Sequence, residues 1–301
     1  MNSDLLKSCT LCPRKCGVDR TAGEVGFCGA SEKIKLAKSC LHFWEEPCIS
    51  GEEGSGAVFF SHCTLKCVYC QNFGISTQNH GRYITEDELA QIFLNLKMQG
   101  ANNINLVTPT HFVPQIISAI EIARKKGLDL PILYNTSGYE SPETIKRLDG
   151  YVDIFLPDLK YFDDKYAIKY SNAKDYFKTA ASAIRQMFAQ VGKCEFDERG
   201  IIKKGVIVRH LMLPGLLFDT KKILDFLYSE YGNDIYISIM SQYTPLDTIP
   251  DGFPELQRRL NMQCYDKMLD YAAGIGIENA FIQEGSSASE SFIPDFYSGN
   301  E

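Results

Sequence analysis

The sequence predicts an α/β protein: a partial (β/α)6 barrel carrying a small cysteine-rich module at its N-terminus. Three observations predict it. From residue 57 onward, short runs rich in β-branched and aromatic residues alternate with stretches of helical periodicity, the pattern of βα units around a parallel sheet. The 301 residues, 45% hydrophobic and 23% charged, are enough for one barrel-sized domain with a large core and no disulfide staples. All of the eleven cysteines except Cys194 and Cys264 precede residue 71, most of them where no βα pattern is visible. The organisation expected is a metal-binding leader over 1–50, the barrel over 51–285, and a tail over 286–301 joined through Gly285-Ser286-Ser287-Ala288-Ser289.

The elements follow in order. Ala57 to Ser61 is the first strand. Thr85-Glu86-Asp87-Glu88 is a capping box opening a helix with Leu89, Ile92, Phe93 and Leu96 on one face and Gly100 as its stop. Asn103 to Val107 is the second strand, and Pro114 opens a helix with Ile116, Ile117 and Ile120 inward, ended by Gly127. Leu130 to Tyr134 is the third strand, followed by a short helix from Ser141-Pro142. Tyr151 to Leu156 is the fourth, halted by Pro157, which cannot donate to a ladder. A long helix then carries Phe177, Ala181, Ile184, Phe188 and Val191. Val206 to Val208 is the fifth strand, Thr220 to Tyr231 a helix with Ile223, Leu224 and Leu227 inward, and Ile235 to Ile239 the sixth strand. Right-handed crossovers curl such a series into a barrel whose chemistry sits at the carboxyl ends of the strands.

Composition narrows the function. A formal net charge of −7 gives no positive field for a phosphate backbone, so nucleic acid is not an expected partner. The start, MNSDLLKSCTLC, has no basic region, apolar stretch or cleavage site of a signal peptide. No apolar run approaches the roughly 18 residues of a membrane span. The expectation is a cytoplasmic protein without membrane contact, and in a reducing compartment closely spaced thiols are metal ligands or redox groups.

Cys63-Thr64-Leu65-Lys66-Cys67-Val68-Tyr69-Cys70 is C-x3-C-x2-C, directly after the first strand. Three thiolates can hold three irons of a four-iron four-sulfur cluster and leave the fourth open to chemistry. Zinc prefers four closed ligands, and a fourth is missing unless His62 supplies it. Upstream, Cys9-x2-Cys12-x3-Cys16-x11-Cys28 offers four thiols among turn-forming Pro13, Gly17, Gly23, Gly26 and Gly29, a set suited to zinc or to a second iron-sulfur cluster. Cys40, Cys48, Cys194 and Cys264 are solitary and read as packing residues.

The cysteine loop, with an aromatic residue before its last cysteine, resembles the radical S-adenosylmethionine superfamily over about residues 50 to 285. Within it, Gly54-Ser55-Gly56, Cys70-Gln71-Asn72 and Arg209-His210-Leu211-Met212-Leu213-Pro214-Gly215 are similar to homologues of the activating enzymes of pyruvate formate-lyase. Cys12-Pro13 and Gly26-Phe27-Cys28-Gly29 resemble the cysteine-rich leader of that branch. The resemblance implies a 4Fe-4S cluster on Cys63, Cys67 and Cys70, with S-adenosylmethionine chelating the open iron and yielding a 5′-deoxyadenosyl radical on reduction. It further implies an electron donor such as flavodoxin or ferredoxin, and hydrogen abstraction from a glycine of a glycyl radical enzyme.

For S-adenosylmethionine contacts the resemblance offers Tyr69 beside the adenine, Asn72, and the polar strand ends. Where the activators carry Gly-Gly-Glu for the amino group, this chain reads Thr108-Pro109-Thr110-His111, so that Thr108 and Thr110 hydroxyls or backbone carbonyls stand in. Asn135-Thr136-Ser137-Gly138 resembles the family's Thr-Asn-Gly turn, giving Asn135 and Ser137. Asp158-Leu159-Lys160 matches Asp-x-Lys, and Arg209, His210 and Gln242 are further candidates. Two other readings are weighed: the same chemistry on another peptide or small molecule, and a non-catalytic electron carrier or zinc-bearing interaction protein.

Overall fold

The computed structural model describes residues 2–282; the link at Gly285–Ser289 and the tail over 286–301 lie outside the described residues. Its strands are β1 (Ile34–His42), β2 (Ser55–Phe60), β3 (Arg82–Ile84), β4 (Ile104–Val107), β5 (Ile132–Thr136), β6 (Ile154–Pro157), β7 (Glu195–Phe196), β8 (Ile202–Leu211), β9 (Tyr236–Met240) and β10 (Ala280–Ile282). The helices are α1 (Asn2–Lys7), α2 (Pro47–Ser50), α3 (Phe73–Ser76), α4 (Glu86–Met98), α5 (Val113–Lys125), α6 (Pro142–Lys146), α7 (Asp164–Ser171), α8 (Tyr176–Val191), α9 (Leu217–Tyr231) and α10 (Met262–Gly274).

The sheet runs β10-β9-β8-β6-β5-β4-β2-β1-β3, with β7 paired to β8 off this path. Every neighbouring pair from β2 to β10 along that order is parallel. The six expected strands are β2, β4, β5, β6, β8 and β9, and β10 adds a seventh parallel member. This is a curled α/β sheet of the partial-barrel kind, with α4, α5, α8 and α9 packed outside. One cluster of buried residues joins those helices to the outward faces of the strands, including Phe93, Ile116, Ile184 and Leu224 against Val58, Leu106, Tyr134 and Val208. The α4 capping box is present: the Thr85 hydroxyl accepts from Glu88 N at 3.2 Å, and the Glu88 carboxylate accepts from Thr85 N at 2.7 Å.

The sheet begins upstream of residue 51. Strand β1 pairs antiparallel with β2, from Leu36 opposite Phe60 to His42 opposite Ser55, and β3 pairs with its outer edge. The sequence hid β1 because only Ile34, Leu36 and Ala37 are buried, so no clean alternation marks it. After β1 the chain turns into α2, where Cys48 and Ile49 meet the inward Leu133, Ile154, Leu156, Ile202 and Ile207 and fill the floor of the barrel. Cys194 and Cys40 likewise pack against core residues, as does Cys264 on α10. The leader has a small core of Leu6, Cys9 and Leu11. It is fastened by the buried Arg20, which donates to the carbonyls of Ser31 and, at 2.6 Å, His111. No helix among the described residues is long and apolar enough to cross a membrane.

Candidate active site

The cysteine loop leaves β2 through two residues in the left-handed region, His62 (φ 77°) and Lys66 (φ 56°), each costing about 1–3 kcal/mol for a non-glycine residue. Anchors hold it there: His62 N donates to the Ile75 carbonyl at 2.8 Å, and Val68 N to the Tyr170 carbonyl at 2.9 Å. Each of the three sulfurs accepts at least one hydrogen bond. Cys63 Sγ receives Leu65 N at 3.4 Å, Cys67 Sγ receives Ser171 Oγ at 3.0 Å, and Cys70 Sγ receives Ser76 Oγ at 3.3 Å.

Behind Cys67 a relay of hydroxyls runs inward. Ser171 gives its proton to the sulfur, so it accepts from Tyr161 at 2.7 Å, and Tyr161 accepts from Tyr69 at 2.6 Å. Such a chain polarises toward the sulfur and favours the thiolate. Burial without metal does the opposite, raising the Cys67 thiol and pushing Cys70 up to about 12. Loading iron therefore replaces protons on these thiols. Three facing thiols, each with a donor of its own, fit a cluster held through thiolates.

The loop opens onto a cavity of about 270 Å³ at the carboxyl ends of the strands. Across it stands a charged network centred on Arg209. Its Nε donates to Asp158 Oδ1 at 3.0 Å, Nη1 to Glu45 Oε2 at 3.2 Å, and Nη2 to Asn135 Oδ1 at 2.6 Å. Lys160 Nζ donates to Asp158 Oδ2 at 2.7 Å, and Asn105 Nδ2 to Glu45 Oε1 at 3.0 Å. Burial alone would raise the Asp158 carboxyl, but the adjacent Lys160 and Arg209 outweigh it and hold it below its ordinary value. Burial disfavours the Lys160 ammonium, and Asp158 outweighs that in turn, so Lys160 stays charged.

Alignment of the loops depends on Tyr176 of α8, whose hydroxyl donates toward the carbonyls of Ser137 (2.8 Å) and Asp158 (3.1 Å) and accepts from Lys160 N at 3.0 Å. Gly138 (φ 77°) is required there, because a Cβ would stand 2.1 Å from the Asp158 carbonyl oxygen. Thr108 (φ 57°) is a β-branched residue in the left-handed region at the cavity wall, an outlier of the sort that concentrates at functional sites.

Of the residues expected at this site, Cys63, Cys67, Cys70, Tyr69, Asn72, Thr108, Asn135, Ser137, Asp158, Lys160, Arg209 and Gln242 line the one cavity. Thr110 and His210 do not. After the left-handed turn at Thr108 the chain enters a 3-10 turn, Thr110–Phe112, and the Thr110 hydroxyl is buried 2.5 Å from Glu140 Oε1. His210 follows Arg209 on β8 and so faces the opposite side of the sheet. Its Nδ1 donates to the Leu159 carbonyl at 2.7 Å, its Nε2 accepts from the Thr220 hydroxyl at 2.9 Å, and burial lowers it to about 4. Sequence reasoning missed Glu45 with His42 and Trp44, which reach the cavity because β1 joins the sheet, and Tyr243 and Thr244 beyond β9.

Of the four leader thiols, Cys9 and Cys12 are buried, Cys28 is half-buried and Cys16 exposed. Among the described residues, no three His, Cys, Asp or Glu side chains are gathered as around a single metal ion.

Comparisons with known proteins agree with this geometry. The family model of the Radical SAM superfamily matches residues 57–227, from β2 into α9. An uncharacterised protein of Methanocaldococcus jannaschii is 29% identical over 279 residues, covering 89% of this chain and 75% of that protein. A radical SAM methyltransferase from Sphaerobacter thermophilus superposes with a TM-score of 0.52 at 15% identity, covering 76% of this chain and 66% of that one. Streptococcus suis SuiB bound to S-adenosylmethionine gives 0.49 at 12% identity, over 74% of this chain and 48% of that one. The chain thus spans just under two thirds of the methyltransferase and about half of SuiB, and at 15% identity the likeness to the methyltransferase is one of fold. The match over more than half the chain, with the cysteine loop inside it at the strand ends, makes this chain a member of the radical SAM superfamily.

Proposed function

We propose that this protein reductively cleaves S-adenosylmethionine and uses the product to take a hydrogen atom from a glycine in a glycyl radical enzyme. The observation that carries the reading is one cavity with three hydrogen-bonded thiols on one wall and paired acids and bases on the other. Bound together, a 4Fe-4S cluster and S-adenosylmethionine supply one electron and a 5′-deoxyadenosyl group able to accept hydrogen. Cys63, Cys67 and Cys70 would hold the cluster. The remaining residues bind and orient.

Lys160 presents an ammonium suited to the methionine carboxylate, and Asp158 and Glu45 present carboxylates suited to the methionine ammonium. Arg209, hydrogen-bonded to both acids, fixes their positions and, with Lys160, holds the Asp158 carboxyl ionised. Tyr69 and Asn72, beside the cysteines, border the space for the adenine and ribose, and Thr108, Asn135 and Ser137 line the facing wall. Trp44 stands at the cavity and is 61% exposed, an aromatic rim against which an entering polypeptide loop can pack.

Anaerobically reconstituted protein given a strong reductant should release 5′-deoxyadenosine and methionine from S-adenosylmethionine, and Cys67→Ala should abolish the release. Equal release from Cys67→Ala refutes the ligand assignment, and no release from wild type favours an electron carrier. A glycyl radical signal on a candidate partner after incubation tests the substrate. Its absence across the glycyl radical enzymes of the host moves the substrate to another peptide or small molecule.

A further inference from the structure

We propose that Cys9, Cys12, Cys16 and Cys28 hold a second iron-sulfur cluster through which a low-potential one-electron donor, of ferredoxin or flavodoxin chemistry, reduces the cluster of the barrel. The relay rests on the reductive cleavage proposed above; the cluster itself does not.

The four thiols form one group. Cys12 lies within electrostatic reach of Cys28 and Cys9, and Cys28 within reach of Cys9 and Cys16. Tight turns present them: Lys15 N donates to the Cys12 carbonyl, Gly17 N to Cys9, and Gly29 N to Gly26, each at 3.0 Å. A backbone amide already addresses one sulfur, Ala30 N donating to Cys28 Sγ at 3.5 Å. Gly26 is shaped to another, since a Cβ there would stand 2.6 Å from Cys16 Sγ. The leader's own core is a few side chains, too small to fix these turns, which is the circumstance in which metal supplies folding energy.

The contacts of the leader with the barrel loop favour a redox-active centre over a structural one. Zinc has no redox chemistry, whereas the same four thiolates suit an iron-sulfur cluster, which can pass an electron.

The position argues for electron entry. Leader residues touch the barrel loop on both sides of Cys63. Arg14 Nε donates to the Thr64 carbonyl at 2.6 Å and Nη2 to the Asn172 carbonyl at 2.9 Å, while its guanidinium lies 3.5 Å over the Phe27 ring. Lys66 of the loop sits over the same ring at 5.2 Å, and a Cβ on Gly29 would be 3.2 Å from His62 Nδ1. Each set has two buried thiols and one half-buried, and the leader adds the exposed Cys16, through which it reaches solvent. In the step proposed, the donor is oxidised by one electron, which passes through the leader cluster to the barrel cluster. It is consumed in breaking the sulfonium carbon–sulfur bond, with methionine leaving.

The test uses the full chain. A Cys63→Ala, Cys67→Ala, Cys70→Ala variant, reconstituted anaerobically with iron and sulfide, should retain about four irons and the electron paramagnetic resonance signal of a reduced cluster. Adding Cys16→Ala, at an exposed position where packing is not at stake, should alter or remove that signal. One zinc without iron, or no metal, overturns the cluster whatever the barrel does. In the otherwise wild-type chain, Cys16→Ala should keep cleavage of S-adenosylmethionine driven by dithionite and lose about tenfold or more of the cleavage driven by reduced flavodoxin. Equal loss in both arms, or in neither, overturns the relay. Absence of cleavage by wild type with dithionite instead counts against the proposed reaction and leaves the iron count of the triple variant standing.

Discussion

Replacing Glu140 by Gln should remove a pH dependence from the stability of the fold. Glu140 follows β5 and is fully buried. Its Oε1 accepts from the hydroxyls of Thr110 and Thr136, and the buried Tyr134 hydroxyl also addresses the carboxyl. Burial raises its pKa from 4.5 to about 7, the three hydroxyls compensating only in part. An acid whose folded pKa is raised costs nothing extra while both states are protonated, below about pH 4.5. Between that value and about 7 the unfolded chain releases its proton and the native chain keeps it, so stability falls as pH rises, by about 1.4 kcal/mol per unit. Over the interval the loss is about 3 kcal/mol, and above it the curve is flat. Gln has the shape and the acceptor oxygen without the proton equilibrium. In urea unfolding followed at about pH 5 and about pH 8, the variant should gain on wild type by roughly 2.5 kcal/mol between the two conditions, other titrating groups being common to both. A difference between variant and wild type that is the same at both pH values refutes the reasoning.

Three further outcomes follow from the site and its scaffold. Ser171→Ala removes the hydrogen bond into Cys67 Sγ and severs the relay from Tyr69 and Tyr161. If about 1 kcal/mol of that bond distinguishes the two oxidation states, the barrel cluster's potential should fall by about 40 mV in a spectroscopically monitored redox titration, and an unchanged potential refutes the assignment. Arg209→Gln leaves Glu45 and Asp158 without their buried cation, so unfolding should become easier by about 3–5 kcal/mol and S-adenosylmethionine binding should weaken in equilibrium titration. A loss below about 1 kcal/mol shows that the acids find other partners. Thr85→Ala removes the α4 capping box and should cost about 1 kcal/mol in denaturant unfolding while leaving S-adenosylmethionine cleavage unchanged, which separates scaffold from site.

What the sequence made legible was local. Thr85 to Gly100, the six parallel strands and C-x3-C-x2-C carry their signals within a few residues: a capping box, an apolar run, a spacing of thiols. Strand β1 carries none, since its partner β2 lies across an intervening helix and its outer face is half exposed. The same gap concealed Glu45. Its principal partner, Arg209, is 164 positions away, and only the antiparallel return of β1 and the turn into α2 bring that carboxylate over the barrel. A glutamate beside a second glutamate and a proline reads as a solvated loop until the sheet order is known.

Strand-end residues were legible as a set but not one by one, and alternation explains which went astray. On β8, Arg209 and His210 are adjacent, so one must face the cavity and the other the helices. The arginine points inward because two carboxylates are already there to compensate it, whereas a buried histidine can be satisfied neutral, by Leu159 and Thr220. At the end of β4 the divergence has a different cause. Thr108 in the left-handed region redirects the chain, so Thr110, two residues on, faces Glu140 rather than the cavity. Thr108 to Thr110 stand where the activators carry an acid, and the acids of this cavity come instead from the end of β6 and from the turn after β1. A site that must present carboxylates to a cationic group can draw them from any strand end around the barrel, provided a buried cation such as Arg209 compensates their burial.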